Sequence, residues 1–313
     1  QTQVALIVRE SEGAADAIAG LLDQLTTDAA GLPLGAVYQE CARHDRRIIW
    51  LWRAWEYFRD KFDQRDDPAL LNAVRAADEV LWSCYKPFFQ GTGQAIPAVP
   101  LPYIENTYSP TALRPTDSGH LEREEDLSDD PLQSFFAALP VPLLQLPPMA
   151  VTTPWVHVLI GHECGHFIQD FVPPVGSYRK IFREKIQAIA LREGDKSDEQ
   201  AWGKWAPEIF ADLYSVAVMG PWAVWVMAQF ELARSGSLTT RGSSYPSALV
   251  RIYLLSCFCV TAKLGGFGTT LAALGFDPSA AAVQSPQVVK DLAIAEKVAE
   301  LLHDPLPNDA VSL

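Results

Sequence analysis

Two histidines four residues apart, His162 and His166, constrain the fold of this chain more than any other feature. In an α-helix, residues four apart lie on one face, one turn above the other, so both imidazoles can reach a single ion. Thr153 and Pro154 form a good helix start, with a capping hydroxyl followed by a proline at the first helical position. The pattern therefore predicts a helix from Pro154 to Phe171 that carries both histidines.

Glu163 directly follows the first histidine and completes the sequence pattern HExxH. It projects along the edge of the histidine face, where a carboxylate can accept a proton from a metal-bound water. Cys164 points away from the paired histidines, and we expect it to be a small packing residue. His157 lies five residues before the first histidine, off the ligand face, and we expect it to be structural.

A catalytic zinc site normally has three protein ligands and one open position, so a third ligand is needed. Asp170 continues the helical spacing, but it lies about 12 Å along the axis from His162, too far to share one ion. Glu184 and Glu193 remain open as alternatives, although they have no supporting neighbours. A stronger candidate lies further along the chain.

Glu208 is the strongest candidate for the third ligand. Pro207 suits the first turn of a helix, which predicts that Glu208 lies near the start of a helical segment. Asp212 follows four residues later on the same face, where it can accept the outer N–H of a ligand histidine. Two carboxylates on a strongly apolar helix are costly unless they bind a metal or a partner. The alternative is an ordinary helix-start acid followed by a surface aspartate.

HExxH on one helix, followed by Glu-x-x-Ala-Asp on a later helix, resembles the gluzincin class of zinc metallopeptidases with an ExxAD third-ligand motif. The resemblance covers residues 151–220 and does not extend to the first 90 residues. The Asn-containing third-ligand motif of the thermolysin branch is absent, which leaves the branch open. The resemblance implies a Zn²⁺ cofactor, a peptide or protein substrate, and three kinds of site residue. These are the zinc ligands His162, His166 and Glu208, the general base Glu163, and Asp212, which orients a ligand from behind.

Hydrophobic periodicity predicts a mainly α fold. We expect a zincin-like catalytic helical core with at most a small β-sheet, preceded by an N-terminal helical region. The predicted divisions are an N-terminal helical region (1–91), a proline-rich and acidic connecting segment or lid (92–150), and a helical zinc-binding catalytic domain (151–313). Within the middle segment, Val141 to Leu146 predicts one edge strand, and the acidic run at 122–130 is expected to be solvated.

Two further apolar patterns carry predictions about packing. On the second predicted helix, one stripe is expected to pack against other helices: Ile48, Trp52, Trp55, Phe58 and Phe62. The stretch from Leu213 to Phe230 has no formal charge and is long enough to suggest a membrane span. Because Gly220 and Pro221 interrupt it, we predict two buried helix pieces and no membrane span.

Charge and cysteine content narrow the function classes. Lys and Arg number 25 against 38 Asp and Glu, for a net charge of −13, which argues against nucleic acid and anionic lipid as partners. Five cysteines without a CxxC pair do not predict a disulfide framework, so a cytoplasmic location is favoured over secretion. The chain begins at Gln1, which leaves the removal of a leader open.

Arg251 is charged within an apolar helix, and we predict that it contacts the substrate or an oxyanion, with a surface arginine or a structural ion pair as the alternative. Tyr245 is a weaker candidate for the same role. Three functions stay open: a zinc peptidase or related amide hydrolase, a non-enzymatic helical interaction scaffold with a structural or vestigial metal site, and a metal hydrolase of non-peptide substrates. The glutamate of HExxH favours an enzyme, since a structural site has no use for a base.

Overall fold

The computed structural model describes residues 2–91, 93–114, 141–171, 177–233, 238–264 and 285–301. Helices dominate these residues and the strands form one small sheet, which confirms the predicted mainly α fold. The helices are α1 (Thr2–Asp28), α2 (Leu34–Asp63), α3 (Leu71–Gly91), α4 (Ile160–Phe171), α5 (Ser177–Glu193), α6 (Lys196–Met219), α7 (Pro221–Ala233), α8 (Ala248–Thr261) and α9 (Pro286–Ala299). The strands are β1 (Leu101–Ile104), β2 (Thr111–Leu113) and β3 (Leu143–Leu146). The acidic run at 122–130 lies outside the described residues.

Internal contacts divide the chain into two compact units. Unit 1 comprises Gln1–Arg75 and Ala98–Val151, and unit 2 comprises Ala76–Pro97 and Thr152–Leu313. The first unit contains the α1–α2 hairpin and the sheet. The second contains the HExxH helix and the helices that pack against it.

The sheet of unit 1 has the strand order β1-β3-β2, so β3 is its central strand. β3 pairs in parallel with β1 and antiparallel with β2. The prediction of an edge strand at Val141 to Leu146 is therefore wrong. Pro142 and Pro147 flank the paired residues instead of interrupting them, and the carbonyl of Pro142 accepts a hydrogen bond from Leu101. A proline outside the ladder does not prevent pairing on both sides.

The aromatic stripe of α2 is only partly buried. Phe58 belongs to a buried cluster with residues of α1, β1 and β3, and Trp55 and Phe62 pack against that cluster, as predicted. Ile48 and Trp52 are 47% and 58% exposed, so the packing prediction is wrong for the first half of the stripe. The helix buries Trp50, Ala54 and Phe58 at spacings of four, and residues 48 and 52 lie on a different face.

In unit 2, the apolar stretch from Leu213 to Phe230 breaks as predicted. α6 ends at Met219, Gly220 adopts φ +64°, and α7 begins at Pro221. The Gly220 N–H donates to the carbonyl of Val216, which closes the last turn of α6. No helix in the described ranges is both long and apolar enough to cross a membrane.

α6 begins earlier than the sequence predicted. Its N-cap is Asp195, whose side chain forms a capping box with Asp198. Pro207 lies inside the helix and not in its first turn. Since proline lacks an N–H, it costs α6 one backbone hydrogen bond without ending the helix. Glu208 therefore projects from the middle of a long, mostly buried helix.

α4 packs closely against α6 because two glycines line the contact. A Cβ placed at Gly165 would lie 2.5 Å from Ala211 Cα, and one at Gly161 would lie 3.0 Å from Ser215 Oγ. The contact at Gly165 leaves no room for a side chain, and the contact at Gly161 is tight. Pro154–Leu159, predicted as the start of this helix, forms a 3₁₀ turn that leads into α4 at Ile160. The HExxH helix is thus held against the helix that carries Glu208 and Asp212.

The contact between α4 and α6 makes Gly165→Ala strongly destabilising. The added methyl group forces the two helices apart, and we expect a loss of about 1–3 kcal/mol in the free energy of unfolding, measured by urea titration. Gly13→Ala in α1 is the matched control, because a Cβ there has no neighbour within 4 Å. We expect that control to be neutral or to gain about 0.5–1 kcal/mol. An equally stable Gly165→Ala protein would contradict the close approach.

Candidate metal centre

Three potential ligand atoms from α4 and α6 converge in unit 2. His162 Nε2 lies 3.2 Å from His166 Nε2. Glu208 Oε2 lies 3.3 Å from the former nitrogen and 3.4 Å from the latter. The three atoms therefore form a nearly equilateral triangle, and in the part of the chain that the structure describes these residues are the one group found that could hold an ion.

The triangle has the dimensions of a zinc site. With zinc bonds of 2.0–2.1 Å, neighbouring ligand atoms of a tetrahedral site are about 3.3 Å apart. Two imidazole nitrogens and one carboxylate oxygen are also ligands that zinc accepts, and a set of three leaves a fourth position open. Oε2 of Glu208 is buried and makes no hydrogen bond, although both imidazoles are near it. A cation among these atoms would satisfy this orphaned oxygen, so the three residues fit a zinc ion.

The second ring nitrogen of His162, Nδ1, forms a hydrogen bond with Asp212 on the side away from the ligand triangle. This nitrogen lies 2.7 Å from Oδ1 of Asp212, and both side chains are almost fully buried. Because an ionised carboxylate only accepts hydrogen bonds, Nδ1 carries the proton. The other ring nitrogen, Nε2, faces the other two ligand atoms, which is the usual arrangement for a metal-binding histidine. The i and i+4 spacing on α6 places Glu208 and Asp212 on opposite sides of the same imidazole.

Arg251 of α8 fixes the Asp212 carboxylate from its other side. Its Nε and Nη2 donate to Oδ2 and Oδ1 of Asp212 at 2.6 and 2.7 Å. Its remaining nitrogen, Nη1, donates to Oε1 of Glu231 in α7 at 2.6 Å. The ring of Tyr245 stacks on the guanidinium, 4.1 Å from its central carbon. The structure thus places Arg251 in a buried ion-pair network, and its contact with a substrate or oxyanion stays a prediction.

The network sets the charges of the site. Burial alone would raise the pKa of Asp212, but the charge and hydrogen bonds of Arg251 lower it, so the carboxylate stays ionised. Burial would lower the pKa of His162, but the hydrogen bond and charge of Asp212 raise it to about 10. Glu208 is also ionised, since the two histidines lower its pKa against the effect of burial. The proton that the raised pKa of His162 keeps on Nε2 must leave when a metal binds there.

Glu163 is buried on α4 next to the first ligand histidine. Its charge contributes to the raised pKa of His162, after the effects of burial, Asp212 and Glu208. Its carboxylate is not one of the three corners of the ligand triangle. The role of Glu163 as general base stays a prediction.

The remaining residues weighed from the sequence lie outside the triangle. Cys164 is fully buried. Burial is the main cause of the raised pKa of its thiol, and the neighbouring Cys84 raises it further. His157 lies in the 3₁₀ turn before α4, where its ring is 3.3 Å from the carbonyl of Pro154. The alternatives for a third ligand make ion pairs of their own, Asp170 with Arg179, Glu184 with Lys180 and Glu193 with Arg192.

Glu231 is the residue of the network that the sequence analysis missed. It is the one charged residue in α7, whose sequence is PWAVWVMAQFELA. A lone charge in an apolar helix is the same signal that drew attention to Arg251. Spacing could not pair the two residues, because they lie 20 positions apart on different helices.

Comparisons with known proteins assign the chain to no family. The chain matches no protein-family model, and neither a curated protein nor a solved structure is significantly similar to it.

Removing Arg251 takes the guanidinium away from two buried carboxylates, Asp212 and Glu231. We expect Arg251→Met, which keeps much of the side-chain volume, to lower the free energy of unfolding by about 3–5 kcal/mol. Arg192→Met is the matched control, since this arginine is exposed and pairs with its neighbour Glu193 in the same unit. Its expected effect is within about 0.5 kcal/mol of wild type. Equal stability losses in urea titrations of the two variants would exclude a stabilising role for the buried network.

Proposed function

We propose that this protein is a zinc-dependent metallopeptidase that hydrolyses peptide bonds. The observation that carries the proposal is the ligand triangle of His162, His166 and Glu208, with edges of 3.2–3.4 Å. Three protein ligands leave a fourth position open, as in catalytic zinc sites, whereas a structural zinc is closed by four protein ligands. A glutamate adjacent to the first ligand supplies the base that a catalytic site needs. The resemblance of the two motifs to the ExxAD gluzincins agrees with the same reaction class.

Individual residues of the chain have separate roles in the proposed hydrolysis. When bound, zinc lowers the pKa of a water ligand to about 7 and polarises a carbonyl group. Glu163 accepts the proton of the attacking water and returns it to the leaving amine. Asp212 holds the imidazole of His162 in one tautomer and orientation, and Arg251 holds Asp212. The carboxylate of Glu208 supplies a negative charge that favours a dication.

A non-enzymatic interaction scaffold is the second candidate function. It is favoured by the exposure of Ile48 and Trp52 on α2, because large exposed apolar side chains close together are typical of protein-binding surfaces. In that case the metal centre would stabilise unit 2 without catalysis. The two candidates differ in what Glu163 does, which a single substitution tests.

Elemental analysis of purified protein tests the metal centre. We expect about one zinc ion per chain in wild type and a clear reduction in Glu208→Ala, because two histidines alone hold zinc weakly. Glu184→Ala is the control, since this glutamate is largely exposed on α5. Equal zinc content in the two variants would remove Glu208 from the ligand set.

Glu163→Gln separates the enzyme from the scaffold. The substitution keeps the shape of the side chain but removes its basicity, so zinc content should be unchanged. We expect hydrolysis of a generic peptide to fall by at least about 100-fold, the usual contribution of a general base. Glu184→Gln serves as the control and should retain full activity. A Glu163→Gln variant as active as wild type would show that this glutamate is not the base.

A further inference from the structure

The Asp212–Arg251–Glu231 network places two carboxylates on one guanidinium. Asp212 accepts two hydrogen bonds from the guanidinium and also contacts Nδ1 of His162, so its one negative charge is shared between two groups. Glu231 accepts a third bond from the guanidinium, donated by Nη1. Burying an additional charge costs stability, and apolar residues of similar volume would often be at least as stable. A stabilising contact alone is therefore a weak reason for a carboxylate at position 231.

The position of this second carboxylate is informative. Asp212 touches His162, and the guanidinium of Arg251 touches Asp212, so a positive group lies two contacts from the ligand triangle. In a buried site, charges interact more strongly than in water, and an uncompensated arginine would oppose the binding of a dication. Glu231 offsets that positive charge from the far side of the guanidinium. It also fixes Nη1, and the ring of Tyr245 covers one face of the group.

We propose that Glu231 is a positioning residue for the metal centre: it holds and neutralises Arg251, so that Asp212 keeps His162 aimed at the ion. This inference rests on the metal site of the proposed function, and it adds a residue that touches neither metal nor substrate. Glu231 acts through a relay of three side chains from α7, α8 and α6 to the imidazole on α4. The relay predicts that a change at Glu231 alters metal binding as well as stability.

Asp291 provides a matched control for a purely structural carboxylate. It is buried in the same unit, accepts hydrogen bonds from Arg241 at 2.6 and 2.8 Å, and accepts another from Trp202 at 3.0 Å. Like Glu231 it pairs with an arginine that binds a second carboxylate, in this case Asp198. No residue of this second network is a corner of the ligand triangle. Asp291→Asn should therefore lower the thermal midpoint without altering the zinc site.

The experiment compares zinc affinity in wild type, Glu231→Ala, Glu231→Gln and Asp291→Asn by competition with a chromophoric chelator. We expect the zinc dissociation constant of Glu231→Ala to rise about tenfold, the lower end of the loss seen when a group behind a metal ligand is removed. Glu231→Gln keeps an acceptor for Nη1 and should lose less. The visible spectrum of Co²⁺-loaded protein should change in both Glu231 variants and stay unchanged in Asp291→Asn.

The outcomes separate this inference from the proposed function. Wild type that binds zinc, together with unaltered affinity and Co²⁺ spectra in the Glu231 variants, overturns the positioning role and leaves the metal site intact. Wild type that binds no zinc overturns both. If Glu231→Ala does not fold, the near-isosteric Glu231→Gln decides the question by the same two measurements. Altered zinc affinity in the Glu231 variants and in Asp291→Asn alike would assign the effect to lost stability and overturn the inference.

Discussion

The carboxylate of Asp212 is the group on which the rest of the centre depends. One of its oxygens accepts from both His162 and Arg251, and the other accepts from Arg251 alone. The carboxylate is almost fully buried, so it costs free energy unless both partners are present. Helices α4, α6 and α8 are therefore joined by one charged group, and the orientation of the ligand histidine and the packing of unit 2 are two aspects of the same interaction.

Close helix packing supplies the second constraint. Gly161 and Gly165 let the two helices touch, which allows the ligand atoms of α4 and α6 to approach to 3.3–3.4 Å. The HExxH pattern fixes the histidines and the glutamate but leaves the residues between them open. In this chain, Gly165 serves the contact with α6, and Cys164 is buried on a different side of the helix. The motif thus combines ligand geometry and packing in five residues.

The sequence predicted what depends on local spacing. It indicated the helix of the two histidines, the break at Gly220, and the pairing of Glu208 with Asp212 on one face. It was wrong where the outcome depends on partners distant in the chain. β3 is central because β1 and β2 pair with its two sides. Ile48 is exposed because a different face of α2 packs against the core. Long-range ion pairs were equally hidden, since no periodicity links Arg251 to Glu231.

The order of the site residues along the chain has a consequence for biosynthesis. All three ligand-triangle residues and Asp212 precede Arg251, which follows Asp212 by 39 residues. At a synthesis rate of roughly 5–20 residues per second, the nascent chain waits roughly 2–8 s for the arginine. During that interval, closing α4 onto α6 would bury the Asp212 carboxylate without its cationic partner. We therefore expect the centre to close only after α8 has been made, although all of its ligands lie upstream of that helix.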